Sequence, residues 1–357
     1  MTHTSDYNLV ILGGGAAAFA AITEASRRDL STAMVNTGLP IGGTCVNVGC
    51  VPSKHLLAVA ESGAAASENP FNAVRYPEEP TVDWADALDG TDELVERFRQ
   101  ENYVDVAEYF ETDIYEGYGQ LVDDTTIEVV DGTDKGARIT GKKALVATGS
   151  SPWAPPIDGL DDVDYYTSET ILEERDLPGS MVIMGGGYIA LEWGQILHRV
   201  GVDVTILQRA DRVLSDMEGQ LGREMQRVFE EDGIEVITGN DFQRVHASAA
   251  DSGTEAVQSV VAVETVVDGT ERTVTRDALF VATGIQPNSE GIGLETVGVE
   301  SNDDGTIRVD ENFQTTNPDI YAAGDVIGEP ELETVAAKEG NHAVKNAFGD
   351  EGVSIDY

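Results

Sequence analysis

The chain of 357 residues carries 22 Lys and Arg against 65 Asp and Glu, a formal net charge of −43. At roughly 150 residues per domain it has room for two or three domains, and a field of that sign repels phosphate backbones and anionic bilayers, which argues against nucleic-acid and membrane partners. The same charge opposes compaction unless salt screens it, so the composition points to a salt-rich cytoplasm.

Met1 to Asn8 has no basic stretch before an apolar run, so no secretory signal is expected. Nothing approaches the roughly 20 apolar residues of a membrane span. Leu9 to Gly15 reads as a buried strand closed by a glycine turn, and Ala16 to Ala25 as the helix it opens. A strand follows at Thr32 to Val35, a helix is expected from Asp92 to Phe110, and paired short strands from Thr125 to Lys143. Pro152, Pro155 and Pro156 mark a crossover after Ala144-Leu-Val-Ala-Thr-Gly149. The pattern then repeats. Met181 to Gly187 is strand and turn, Tyr188 to Gly194 a helix, and Asp203 to Leu207 a strand. More β-structure covers 235–282, with a turn at Asp251 to Glu255, and Leu279-Phe-Val-Ala-Thr-Gly284 echoes the earlier motif. The chain returns to its first half through Ile307 to Val309 and Ile320 to Ala323, then ends in a helix from Leu332 to Phe348. Gly13 and Thr148 lie 135 residues apart, Gly185 and Thr283 98 apart, so two related units stand in tandem. The first carries about 37 extra residues, placed between Thr37 and Gln120. The expected fold is α/β, with two Rossmann-like dinucleotide-binding domains, one split around the other.

Gly13-x-Gly15-x-x-Ala18 and Gly185-x-Gly187-x-x-Ala190 each follow a strand and open a helix. The first glycine makes the turn, and the second lets backbone approach a pyrophosphate seated on the helix N-terminus. The acidic ribose ligand expected about 20 residues later is absent from both. Asn36 stands there in the first repeat, where its amide oxygen can accept from a ribose hydroxyl. Gln208 stands there in the second, followed by Arg209 and Arg212, which attract a 2′-phosphate and favour NADPH. The two cysteines, Cys45 and Cys50, lie five apart in Gly42-Gly-Thr-Cys-Val-Asn-Val-Gly-Cys-Val-Pro-Ser-Lys54. On a regular helix five residues rise about 7.5 Å, beyond the roughly 6.8 Å a disulfide usually spans between Cα atoms. The pair can bridge only if a helix starts irregularly there, and a thiolate at a helix N-terminus is stabilised and reactive. The five histidines show no metal-ligand spacing.

The cysteine segment resembles the redox-disulfide motif of the flavoprotein disulfide reductases, the family of lipoamide dehydrogenase, glutathione reductase and mercuric reductase. Val46, Val48 and Val51 with Ser53-Lys54 are most similar to the mercuric reductase branch. Both Ala-Thr-Gly motifs, Ile285-Gln-Pro-Asn288 and Thr316-Asn-Pro-Asp-Ile-Tyr-Ala-Ala-Gly-Asp325 extend the resemblance from Leu9 to Gly349. It implies FAD and NADPH as cofactors. It divides the chain into 1–151, the first part of an FAD domain with the redox disulfide; 152–281, an NAD(P)H domain; 282–349, the FAD return segment; and 350–357, the start of an interface domain that the sequence does not include. The FAD contacts it implies are Gly13, Gly15, Ala18, Asn36, Gly43, Thr44, Thr148, Gly149, Gly324 and Asp325, the last holding the ribityl chain. Gly185, Gly187, Ala190, Gln208, Arg209 and Gly284 would serve NADPH. Cys50 would be the thiol beside the flavin and Cys45 the interchange thiol, with Lys54 near flavin N5 paired to Glu192. The helix near Leu332 would point its N-terminus at the flavin. The activity implied is reduction of Hg(II), held transiently by Cys45 and Cys50, in a cytoplasmic enzyme of a family that forms homodimers. The alternatives are a lipoamide-type or other disulfide reductase, and an FAD-binding module without turnover.

Overall fold

The structure, a computed structural model, describes residues 6–67, 81–249, 259–328, 330–349 and 352–357. The chain forms two units: Met1–Val51, Leu94–Ser151 and Gln286–Tyr357 make the first, Pro52–Glu93 and Pro152–Ile285 the second.

In chain order the elements are β1 (Tyr7–Leu12), α1 (Ala16–Ser26), β2 (Thr32–Asn36), α2 (Gly43–Asn47), α3 (Cys50–Ser67), α4 (Trp84–Arg99), a π-helical turn (Gln100–Val104) and α5 (Asp105–Tyr109). Then come β3 (Asp113–Glu116), β4 (Tyr118–Asp123), β5 (Thr126–Asp131), β6 (Arg138–Val146) and β7 (Ser150–Pro152). The second repeat supplies β8 (Ser180–Met184), α6 (Tyr188–Arg199), β9 (Asp203–Leu207), α7 (Gly219–Glu231), β10 (Glu235–Ile237), β11 (Asp241–Ala249), β12 (Ser259–Val267), β13 (Thr270–Arg276) and β14 (Ala278–Val281). The chain finishes with β15 (Ile285–Pro287), β16 (Ile320–Ala322) and α8 (Glu333–Phe348).

The first unit holds a sheet in the order β3-β2-β1-β6-β5-β4, with β16 also paired to β6. Strands β1, β2, β3, β6 and β16 run parallel, and β4 and β5 antiparallel. Side chains alternate across a strand, and β1 shows both faces buried. Leu9 and Ile11 join the core with Ala18 and Ile22 of α1 and Ala343 and Val344 of α8. Val10 and Leu12 join the opposite core with Leu121, Ile127 and Leu294. Burial on two faces explains why this strand reads as an unbroken apolar run. The second unit repeats the scheme in a parallel sheet ordered β10-β9-β8-β14, beside an antiparallel β11-β12-β13 sheet. Met181 and Ile183 pack under Trp193 and Ile196 of α6, while Val182 and Met184 meet Val245 and Val263.

Several expected elements shift. The helix expected from Asp92 begins at Trp84, because Asp83 Oδ1 accepts the Asp86 amide and caps it. The helical run passes through the π turn at Gln100 and continues in α5 to Tyr109, one residue short of the expected end. Residues 52–93, which the sequence leaves with the first repeat, pack with the second, where Leu56, Trp84 and Leu88 share a core with Trp193. Ile307 to Val309 makes only isolated bridges, Ser301 to Ile307 and Val309 to Thr315. The turn at Asp251 to Glu255 lies outside the described residues. Among the described residues no helix is long and apolar enough to cross a membrane.

Candidate functional site

Gly13 sits at φ +122°, where a side chain is strained, and a Cβ there would lie 2.0 Å from the Ala147 carbonyl oxygen. That contact seats the turn against the end of β6, whose neighbour Ala147 donates its N–H to Leu12 O at 2.8 Å. Gly15 precedes α1, which has no side-chain cap and no acid in its first turn, so its leading N–H groups are free to meet an anion. Gly15 also lies against Gly43, where an added Cβ would sit 2.8 Å from Gly15 Cα. Ala18, fully buried, packs α1 onto the sheet. Asn36 closes β2, and its Nδ2 donates to Leu39 O at 3.0 Å, which leaves Oδ1 as the acceptor.

The Ala-Thr-Gly motif is held by a residue the sequence quotes without a role. Asn288 Nδ2 donates to Thr148 O at 3.0 Å, Thr148 Oγ1 donates to Asn288 O at 2.7 Å, and the Asn288 N–H donates to Gly149 O at 2.9 Å. Next to this clamp, Ser150 Oγ donates to Asp325 Oδ2 at 2.8 Å. Asp325 Oδ1 has no hydrogen bond among the described residues. Gly324, at φ +80°, sets the turn from which Asp325 projects.

The cysteine segment is irregular in the way a bridge requires. Helix α2 ends at Asn47, Val48 and Gly49 break it, and Cys50 opens α3. Thr44 and half-buried Cys45 lie on α2, and Cys50 is exposed. The two thiols are separate and hydrogen-bonded to each other. That bond, then burial and the Cys50 and Glu333 charges, push the Cys45 thiol up. The dipole of an 18-residue helix therefore acts on Cys50 at its start, whereas Cys45 lies inside a five-residue helix. Two polar residues fix α2. Asn47 Nδ2 donates to Pro40 O and Gly43 O, both at 2.9 Å, and Arg99 Nη1 donates to Asn47 Oδ1 at 3.0 Å. Tyr103, on the π turn, is a further residue that sequence reasoning misses. Its ring meets Phe19 edge-on at 4.8 Å. Burial first, then the charges of Glu333 and Cys45, push its phenol up to about 12, so it stays protonated. Glu333 opens α8, one residue after Leu332.

In the second unit Lys54 Nζ pairs with Glu192 Oε1 at 2.5 Å, and buried Ser53 donates from Oγ to Glu192 Oε2 at 2.9 Å. Both carboxylate oxygens are thus committed. Gly185, at φ +124°, would place a Cβ 2.0 Å from Ala282 O. Gly187 and Gly284 have nothing within 4 Å, and α6 is uncapped by any side chain. Ala190 is fully buried. Gln208 folds back, its Oε1 accepting the Arg209 N–H at 2.9 Å. Arg212 is held by Asp211 and by Ser215 O, whereas exposed Arg209 has no ion pair among the described residues. The free amides of α1 and the open oxygens of Asn36 and Asp325 fit a flavin dinucleotide. The open space at Gly187 and Gly284 fits a nicotinamide dinucleotide. No cluster of three or more His, Cys, Asp or Glu that could hold a metal ion occurs among the described residues.

A family model described as pyridine nucleotide-disulphide oxidoreductase matches residues 7–340. The chain is similar to a mercuric reductase of Staphylococcus aureus, 38% identical over 344 residues, covering 96% of this chain and 60% of that protein. It is similar to one of Streptomyces lividans, 39% identical over 359 residues, covering 99% and 72%. A dihydrolipoyl dehydrogenase of Bacillus subtilis is 32% identical over 365 residues, covering 97% and 72%. Among solved structures, the Cu(II) complex of the HOCl-induced flavoprotein disulfide reductase RclA from Escherichia coli shares the fold, with a TM-score of 0.80 and 24% identity over 97% of this chain and 72% of that one. The chain spans 60% and 62% of the length of the first two mercuric reductases it matches, those of S. aureus and Lysinibacillus sphaericus.

Proposed function

Since the chain belongs to the pyridine nucleotide-disulphide oxidoreductase family, whose members use FAD and NAD(P)H, we propose that it oxidises NADPH and passes the electron pair to Hg(II) through Cys45 and Cys50. The overall balance is NADPH plus Hg(II) giving NADP⁺, elemental mercury and one proton. Bound FAD supplies the relay that accepts hydride and releases electrons in pairs. The chain's own residues do the rest. The turns at Gly13 and Gly185 seat the two pyrophosphates, Asn36 and Asp325 hold the hydroxyls of the flavin dinucleotide, and Arg209 selects the 2′-phosphate. Lys54 is fixed by Glu192. The two adjacent cysteines, giving up their protons as they bind, supply the soft sulfur ligand pair that Hg(II) prefers, and the Tyr103 hydroxyl lies within electrostatic reach of Cys45.

The observation that carries this reading is the hydrogen-bonded thiol pair at the break between α2 and α3. Relatives at 35–39% identity that are named mercuric reductase support the choice of Hg(II). The B. subtilis relative favours a second reading, reduction of a dithiolane such as lipoamide. NADPH oxidation measured with Hg(II), with lipoamide and with a small dye separates them. Hg(II) giving the highest kcat/KM supports the first, and lipoamide giving it replaces the first with the second. The −43 charge supports work at high salt, and a melting temperature that climbs toward molar KCl is the check on it.

A further inference from the structure

Glu339 is 2% exposed and stands on α8, outside the residues given a role above. Its Oε2 accepts the Gly324 N–H at 2.8 Å, and its Oε1 accepts the Tyr357 O–H at 2.7 Å. A buried carboxyl is costly unless hydrogen bonds compensate it, so its retention here needs a reason beyond packing. Gly324 supplies one. Its backbone lies at φ +80° and ψ −169°, a conformation open essentially to glycine alone and kept only where the surroundings over-determine it. The constraints are identifiable. The Ala323 N–H donates to Val146 O at 3.1 Å, the Ile327 N–H donates to Gly324 O at 2.8 Å, and the Gly324 N–H goes to Glu339. Asp325, the next residue, has one oxygen fixed by Ser150 and the other open. The reach of Glu339 comes from close helix packing. Gly340 lies so near α1 that a Cβ on it would sit 2.0 Å from Ala17 O, which sets α8 directly behind the turn.

We propose that Glu339 is a positioning residue of the flavin site: by holding the Gly324 amide it fixes the backbone from which Asp325 reaches the ribityl hydroxyls. The proposal rests on the reading of Asp325 as a flavin contact. Glu339 touches neither flavin nor substrate in this role. What it supplies is an acceptor at one amide, and the carboxylate charge itself is dispensable.

The test titrates FAD into the apoprotein of the full chain, read by flavin fluorescence, for the parent, E339Q, E339L, D325A and the double variant D325A/E339L. Glutamine keeps an acceptor for the amide, so E339Q should bind FAD within about threefold of the parent. Leucine leaves a buried N–H unsatisfied, so E339L should weaken binding by roughly tenfold to a hundredfold. Because the effect passes through Asp325, adding E339L to D325A should cost less than about twofold further. E339L binding FAD like the parent would overturn the proposal, as would E339L imposing its full loss on D325A. D325A binding like the parent would instead remove the reading of Asp325, and the proposal with it. If E339L does not fold, hydrogen exchange at the Gly324 amide in the unmutated holoenzyme decides, with strong protection expected and free exchange overturning the proposal.

Discussion

The two glycine turns are near copies, and what stands opposite them is not. Gly13 and Gly185 share φ values of +122° and +124°, and each would drive a Cβ to 2.0 Å from a carbonyl oxygen, of Ala147 and Ala282. Each donates its N–H to the second strand, to Val35 O at 2.8 Å and to Leu207 O at 2.9 Å. Each middle glycine faces an amide side chain, Asn36 in one and Gln208 in the other. The repeats part at the third glycine. Gly15 meets the backbone of Gly43, while Gly187 has nothing within 4 Å. On the reading proposed above, dinucleotide binding belongs to the turn, which both repeats share, and redox capacity belongs to the segment that the first repeat alone inserts after its second strand.

If that division holds, removing a thiol should separate two activities. Cys45→Ala and Cys50→Ala should each lower Hg(II)-dependent or disulfide-dependent NADPH oxidation by at least about a hundredfold. Reduction of a small dye should stay within about twofold, since both turns are untouched. Equal losses in the two assays would erase the division. The turns themselves are compared by Gly13→Ala and Gly185→Ala. A left-handed φ costs a side chain about 1–2 kcal/mol, and the carbonyl overlap adds about 1–3 kcal/mol. Gly13→Ala should yield protein that does not retain flavin. Gly185→Ala should stay yellow with a raised KM for NADPH. Loss of flavin from both would show that the repeats do not bind independently.

Much of this was legible because it is local. A strand buried on both faces, a glycine that must turn and the helix it opens leave their marks within some fifteen positions, and they leave them twice. The helix expected from Asp92 starts earlier for a local reason too, since Asp83 caps it ahead of Trp84. What was not legible depends on contacts between distant segments. Nothing in Gln100 to Val104 announces a π turn that seats Tyr103 against Phe19. Asn288 was visible in its motif, but its grip on Thr148 appears only when the chain returns. Ile307 to Val309 has a strand's composition, yet among the described residues it makes only isolated bridges.

Tyr103 sharpens the comparison, since its hydroxyl, unlike its ring, has no part in packing the first turn's helix. Tyr103→Phe should lower kcat/KM for Hg(II) by roughly tenfold to a hundredfold, the range for a hydrogen bond to a charged group, and leave dye reduction unchanged. Its phenol is pushed up to about 12, so it stays neutral through the assay range. The loss should therefore be constant from pH 6 to 10, and a loss that grows across that range would assign Tyr103 a different role. Stability carries the same signature. Tyr103 contributes fully below the ordinary tyrosine pKa near 10, and that contribution fades as pH rises through about 12. Parent and variant should converge in urea midpoint over that window.

The smallest expected effect asks why two turns with an amide at the same position should take different dinucleotides. Asn36 is followed by Thr37 and Gly38, Gln208 by Arg209. Gln208 cannot make the choice alone, because its oxygen is occupied by the Arg209 N–H. Arg212 is held by its own loop, which leaves Arg209 as the exposed cation of the turn. An exposed charge pair is worth up to about 1 kcal/mol. Replacing it with a like-charge contact adds a similar amount, so Arg209→Glu should shift the NADPH to NADH ratio of kcat/KM by about tenfold toward NADH. Flavin content should not change, because the first turn is not involved. The shift should shrink as salt is raised, since the contact is exposed and screened. A parent enzyme that already prefers NADH would show that Arg209 only faces solvent, and the two turns would then differ in the thiol segment alone.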